Sequence, residues 1–300
     1  MKVELGINTG FAINRFPEPE DWTRIVGKEL KLHTVQWTAD LLNPFLPRDI
    51  INSYIRRTKR ETRKYSIKID TTFTSAFTRV NHLLHPDKRM RRVWEEWFRK
   101  FLRISAELGA RGTGAHFGIL SVTDCGNPRR KRYIIEEGIN AWQRLSFYAK
   151  KLGLEFLMFE PMSIEREMAS TINDTKELLK KVNCNSGIPV YLCLDVDHGS
   201  NISPDPRDRD PYVWLKELGC FSPVVHIKQS LKDKGGHWPF TDEYNKHGVI
   251  HPGKVVNALK ESGAMHVVLC LEISHRERYP AEDRVVKDLK ESADYWKKFL

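Results

Sequence analysis

"LEFLMFE", residues 154–160, is apolar at five of its seven positions and ends on a carboxylate. A strand with one wet face alternates apolar and polar residues. A run this apolar predicts a parallel strand covered on both faces. Working outward, comparable runs recur near 3–8, 32–38, 66–72, 111–117, 190–196, 222–228 and 266–273. Between them lie segments of helical period near 19–28, 47–64, 88–108, 130–152, 165–182, 210–218, 252–262 and 281–299. In "VWEEWFRKFLRISAEL" (93–108) the stripe is Val93, Trp97, Phe101 and Ile104. Eight strand-then-helix units predict an α/β chain, a single-domain (β/α)₈ TIM barrel over residues 1–300. A doubly wound open sheet is the alternative, but neither a G-x-G-x-x-G fingerprint nor a P-loop stands where that fold needs it. The segment 229–251 is long for a βα loop, and long loops on the catalytic face of a barrel shape its pocket.

Composition narrows the class. With 300 residues, 40% of them hydrophobic, the chain can bury a large core. It contains no apolar stretch near the roughly 18–20 residues of a membrane span. The opening "MKVELGINTG" carries Glu4 inside its apolar run and reads as a first strand, not a secretory signal, so a cytoplasmic location is expected. Cys125, Cys184, Cys193, Cys220 and Cys270 show no C-x-x-C spacing, and buried reduced thiols are the expected state. Glutamine occurs only at 36, 143 and 229 against 29% charged residues, a bias toward a thermophilic source. The net charge of +10 suits an anionic partner or plain solubility. "RRTKRETRK" (56–64) falls in the last turns of a helix, where cations complement the macrodipole. "KRMRR" (88–92) and "RRKR" (129–132) fall near helix starts, which makes them candidates for an anion-attracting surface.

In a (β/α)₈ barrel the C-terminal strand ends converge on one pocket. The fifth strand ends "FLMFEP", with Glu160 at the rim; the sixth ends "CLDVDH", with Asp195 at the rim and His198 beyond it. The seventh, "PVVHIKQ", carries His226, and the eighth, "VVLCLEIS", carries Glu272. Each alone reads equally well as a helix cap, a salt-bridge partner or a core histidine. Together they put three carboxylates on one axis, where they repel one another unless a cation lies between them. Carboxylate and imidazole without thiolate suit Mn²⁺, Co²⁺ or Mg²⁺, with Zn²⁺ also compatible.

Four pieces carry a resemblance along essentially the whole chain: "FEPMS" (159–163), "LDVDH" (194–198), "VHIKQS" (225–230) and "LEIS" (271–274). They resemble the xylose-isomerase-like barrel superfamily of sugar isomerases and sugar or sugar-phosphate 3-epimerases. The resemblance implies one divalent metal held by Glu160, Asp195, His226 and Glu272, with Asp195 preferred to Asp197 because His198 follows it by three as a substrate contact. The insertion "GGHWPFTDEYNKHGVI" (235–250) is similar to a narrower branch, the tetrulose-phosphate 3-epimerases. One departure stands out: several ketose 3-epimerases carry an arginine six residues after the metal histidine, and here that position is Lys232. Arg276 is a second candidate for the substrate-clamping cation.

The chemistry implied is C3 epimerisation of a ketose or ketose phosphate, tetrulose phosphate favoured, through a metal-stabilised enediolate. Two acid/base groups must flank the substrate plane, a role assigned to Glu160 and Glu272. His198 and His116 are expected to bind substrate oxygens. Trp238, in the long loop, is expected to wall the pocket, while Trp37 and Phe73 read first as core. An aldose–ketose isomerase on the same scaffold is one alternative. Another is an abasic-site endonuclease-like phosphodiesterase, which the net charge favours. That enzyme needs a histidine ending strand three and an Asp-x-His pair after strand seven; "IDTTFT" and the residues after His226 supply neither. A non-catalytic sugar-binding or scaffold barrel would not keep buried carboxylates without use. The expected partner is a small-molecule sugar or sugar phosphate, with no nucleic acid and no membrane; a homo-oligomer is compatible.

Overall fold

The computed structural model describes residues 1–75, 83–232 and 234–300. The strands are β1 (Lys2–Asn8), β2 (Thr34–Thr38), β3 (Lys68–Phe73), β4 (Gly112–His116), β5 (Phe156–Glu160), β6 (Val190–Asp195), β7 (Val224–Ile227), β8 (Gln229–Leu231), β9 (Lys234–Trp238) and β10 (His266–Leu271). All but β8 and β9 form one closed parallel ring in the order β1-β10-β7-β6-β5-β4-β3-β2. The α/β barrel expected from the alternation is the observed fold, and its strands lie within two residues of the runs read from the sequence.

The helices are α1 (Pro19–Arg24), α2 (Arg48–Lys64), α3 (Lys88–Leu108), α4 (Val122–Cys125), α5 (Pro128–Lys151), α6 (Ile172–Asn183), α7 (Pro211–Leu218), α8 (Asp242–Asn245), α9 (Pro252–Glu261) and α10 (Ala281–Lys297). Local chemistry sets their ends. The Asp87 side chain accepts from the Arg89 amide to cap α3, which stops at Gly109 in the left-handed region (φ 85°). Asn127 caps α5, with Pro128 as its first residue. Among the described residues no helix is long and apolar enough to cross a membrane.

The helical stripes pack on the outside of the ring, where Trp97, Phe101, Ile104, Trp142 and Trp296 are buried. Val93 departs from its expected stripe and is exposed. The barrel floor is a separate cluster of Phe73, Phe156, Met158, Cys193, Val224, Val268 and Cys270. Trp37 packs in the outer layer beside Tyr54. The thiols are free, as expected, but only Cys193 and Cys270 are buried; Cys184, at the C-cap of α6, and Cys220, in the 3-10 turn Gly219–Phe221, are exposed.

Two departures matter for the site. Between β2 and β3 the register slips, Val35 facing Ile69 while Gln36 faces Thr71, so Asp70 is an extra residue in β3. The 229–251 segment is not irregular: β8 and β9 pair antiparallel, and α8 follows.

Candidate active site

Period two dictates which residues enter the barrel. Along β7 and past its end, positions 224, 226 and 228 share a face. Val224 is part of the floor, His226 stands above it, and Lys228 stands above that. The same parity stacks Met158 below Glu160, Cys193 below Asp195, and Cys270 below Glu272. Each of these strands therefore carries an apolar floor residue and, two positions on, a polar group at the C-terminal mouth.

The four residues expected to share a cation come together. One ligand atom from each of Glu160, Asp195, His226 and Glu272 lies within 4.8 Å of the others. His226 Nδ1 is 3.0 Å from Glu160 Oε1, 3.5 Å from Glu272 Oε1 and 3.9 Å from Asp195 Oδ2. The imidazole is aimed from behind. Its Nε2 lies 2.7 Å from Gln36 Oε1, an amide oxygen that accepts, so Nε2 carries a proton and Nδ1 is the ring nitrogen that faces the carboxylates. Asn8 Nδ2 donates to the same oxygen at 2.8 Å, and the Phe73 ring meets the imidazole edge-on at 5.3 Å. One nitrogen and three carboxylate oxygens, buried together and without thiolate, fit a single divalent ion such as Mn²⁺, Co²⁺, Mg²⁺ or Zn²⁺.

The second oxygens of the two glutamates face different neighbours. Glu160 Oε2 is 3.2 Å from His116 Nε2. Glu272 Oε2 accepts from Lys228 Nζ at 3.1 Å and lies 3.3 Å from His237 Nδ1. Burial by itself pushes the Glu160 carboxyl up, but His226, His198 and His116 around it hold it well below the usual carboxylate range. For Glu272 burial is likewise outweighed, by His226, Lys228 and His237. Both glutamates line a cavity of about 300 Å³ together with Asn8, His116, His198 and His237. A second cavity of about 610 Å³ shares His198 and His237 with the first and adds Asn201, Arg209 and Lys232.

No family model matches the chain. Its sequence is 36% identical over 297 residues to D-erythrulose 1-phosphate 3-epimerase of Brucella abortus, covering 99% of this chain and 96% of that protein. The chain belongs to the xylose-isomerase-like family of sugar 3-epimerases. Solved structures agree on the fold. A protein from Rhodospirillum rubrum named for xylose isomerase superposes with a TM-score of 0.86 at 26% identity, over 99% of both chains. D-psicose 3-epimerase of Clostridium cellulolyticum does so with a TM-score of 0.70 at 15% identity, over 100% of this chain and 99% of that one.

The remaining expected residues of this epimerase fall in different places. His198 lines both cavities; its Nδ1 is 3.1 Å from the Pro161 carbonyl, which leaves Nε2 for a ligand. His116 lines the first cavity and Lys232 the second. Arg276 is exposed and lines neither. Trp238 also lines neither, its ring stacking on Tyr244 at 4.9 Å, while the adjacent His237 lines both. Asp197 is no part of the quartet: its amide donates to Asp195 Oδ1, and its carboxylate takes the Ser230 hydroxyl and the Gly236 amide, fastening the β8–β9 hairpin to the mouth. The basic clusters at helix starts are partly tied down locally. Arg91 donates to the His85 and Pro86 carbonyls, Arg130 pairs with Asp124, and Lys131 pairs with Glu165.

Reading strand ends for carboxylates and histidines missed Gln36, Lys228, His237 and Arg209. For Lys228 a signal was present, two residues after His226 on the same face. For Gln36 there was none, since its partner lies 190 positions away.

Proposed function

We propose that this enzyme inverts C3 of a tetrulose phosphate, with residues 1–300 acting as one domain and Glu160 and Glu272 as the two acid/base groups. The supporting observation is that both carboxylates line one small cavity, each with one oxygen toward the shared ligand cluster and one turned away. β5 and β10 stand three positions apart around the eight-stranded ring, so the two groups approach a substrate from different sides. One glutamate takes the C3 proton, and electron density moves onto the neighbouring carbonyl oxygen. The other returns a proton to the opposite face of C3. Glu160, Asp195, His226 and Glu272 would hold a divalent ion, which would supply positive charge to stabilise the developing oxyanion. His198 Nε2 and His116 bind substrate oxygens, and His116 also orients Glu160.

The phosphate extends into the second cavity, where Lys232 and Arg209 receive it. Neither side chain has a hydrogen-bond or ion-pair partner among the described residues, and both line that cavity beside His198. The basic clusters near 88–92 and 129–132 add long-range attraction for an anionic substrate.

The test is solvent-deuterium exchange into a panel of ketoses and their 1-phosphates, after chelation and with Mn²⁺ restored or withheld. Metal-dependent label at C3, with phosphorylated tetruloses preferred, is the expected result. Label confined to C1 or C2 with an aldose product identifies an isomerase instead. Absence of exchange together with cleavage of an abasic-site oligonucleotide sinks the sugar reading. Lys232→Ala and Arg209→Ala should raise KM about tenfold or more for the phosphorylated ketose and leave the unphosphorylated one nearly unchanged.

A further inference from the structure

Lys228 is fully buried and carries an ammonium in between Asp195 and Glu272. Its three N–H bonds have three acceptors: Asp195 Oδ2 at 2.5 Å, Glu272 Oε2 at 3.1 Å and His237 Nε2 at 3.3 Å. The His237 tautomer agrees, because its Nδ1 donates to the Glu272 carbonyl and leaves Nε2 to accept. Lys228 lines neither cavity, so it is placed to serve the carboxylates and not a substrate. A buried ammonium is costly unless paired and fully hydrogen-bonded, and here it is both.

Charge shows what it is for. Three carboxylates around one divalent ion leave a formal excess of one negative charge in a buried place. Lys228 cancels that excess. Without a metal the same ammonium still bridges Asp195 and Glu272, which approach from strands β6 and β10, two positions apart in the ring.

We propose that Lys228 is a resident counter-ion of the metal site. It keeps Asp195 and Glu272 assembled when no metal is bound and makes the site electrically neutral when a divalent ion is. It is a positioning residue, and the inference rests on the metal-site reading above.

The experiment measures thermal unfolding of the full chain as wild type, as Lys228→Met and as the double variant Lys228→Met/Asp195→Asn, each in excess EDTA and the first two also in saturating Mn²⁺. In EDTA the Lys228→Met protein should melt at least ~5 °C below wild type, since two facing carboxylates lose their shared cation. Mn²⁺ should close most of that gap, and Asp195→Asn should recover it in EDTA by removing the stranded charge. Equal melting of wild type and Lys228→Met in EDTA overturns the proposal, as does a deficit of the same size with and without Mn²⁺. If Lys228→Met yields no folded protein in EDTA, the double variant decides: recovery of folding supports the counter-ion role, and no recovery overturns it. A wild type indifferent to Mn²⁺ overturns the metal reading instead. That failure is told apart by the EDTA comparison, which contains no metal.

Discussion

His226 is oriented by a residue from across the barrel, and that arrangement can be broken without touching a ligand. Gln36→Leu keeps the volume but removes the oxygen that fixes the proton on Nε2. Mn²⁺ affinity, measured by isothermal titration, is expected to fall about 10–100-fold, the usual cost of losing a partner behind a metal ligand. Glu160→Gln and Glu272→Gln each remove a carboxylate oxygen able to carry the proton. Each is expected to lower kcat for C3 exchange by about 10²–10⁴-fold, read as deuterium incorporated per enzyme per unit time at saturating substrate. The candidate quartet was legible in sequence because each member stands at or within one residue of the C-terminal end of a recognisable strand. Lys228 was just as legible in principle, since "VVHIK" repeats on one face, but a lysine at a strand end reads as solvated until its acceptors are known. His237 and Arg209 lie in connecting segments whose geometry no periodicity specifies.

At the scale of elements, the β2/β3 register slip turns Asp70 out of the ladder. There it takes two bonds from the Arg111 guanidinium, both 2.9 Å, and one from Lys68. Burial pushes the Asp70 carboxyl up, but Arg111 and Lys68 outweigh it and hold it below the ordinary 3.8. A folded-state value below the unfolded one gives stability that is fully present above about pH 4 and is lost as pH falls through the folded value. Asp70→Asn is therefore expected to cost about 1–3 kcal/mol at pH 7 by urea unfolding, with the difference from wild type shrinking toward pH 3. The hairpin segment depends on a close approach: a Cβ on Gly248 would lie 2.1 Å from the Gln229 side-chain amide. That amide donates to Asn245 and the Ile250 carbonyl and accepts from the Ile250 amide, holding the segment closed. Gly248→Ala is expected to destabilise by about 1–3 kcal/mol through overpacking and to weaken substrate binding, because the same segment carries Lys232 and His237. The hairpin went unread because β8 has three residues and β9 carries two adjacent glycines, Gly235 and Gly236, too short and too irregular for an alternation to register.

Across the whole molecule the +10 charge is not one surface. Arg57 and Arg60 pair with Glu18, Glu20 and Glu61 on the α1–α2 side, while the helix-start clusters are partly tied to backbone carbonyls and acids. Exchange activity toward a phosphorylated ketose is expected to fall with added salt mainly through KM, since screening shortens the reach of those charges. What the sequence alone determined is the local part: strand–helix alternation, the face each strand residue presents, and hence which carboxylates and histidine reach the mouth. Those follow from periods of two and 3.6, which are properties of short segments. Only ring closure and the β2/β3 slip decided that Gln36 stands behind His226, that Lys228 finds Asp195 and Glu272, and that Asp197 anchors the hairpin. These contacts join distant positions, and their geometry is set by how neighbouring strands stagger around the barrel, which no single segment encodes.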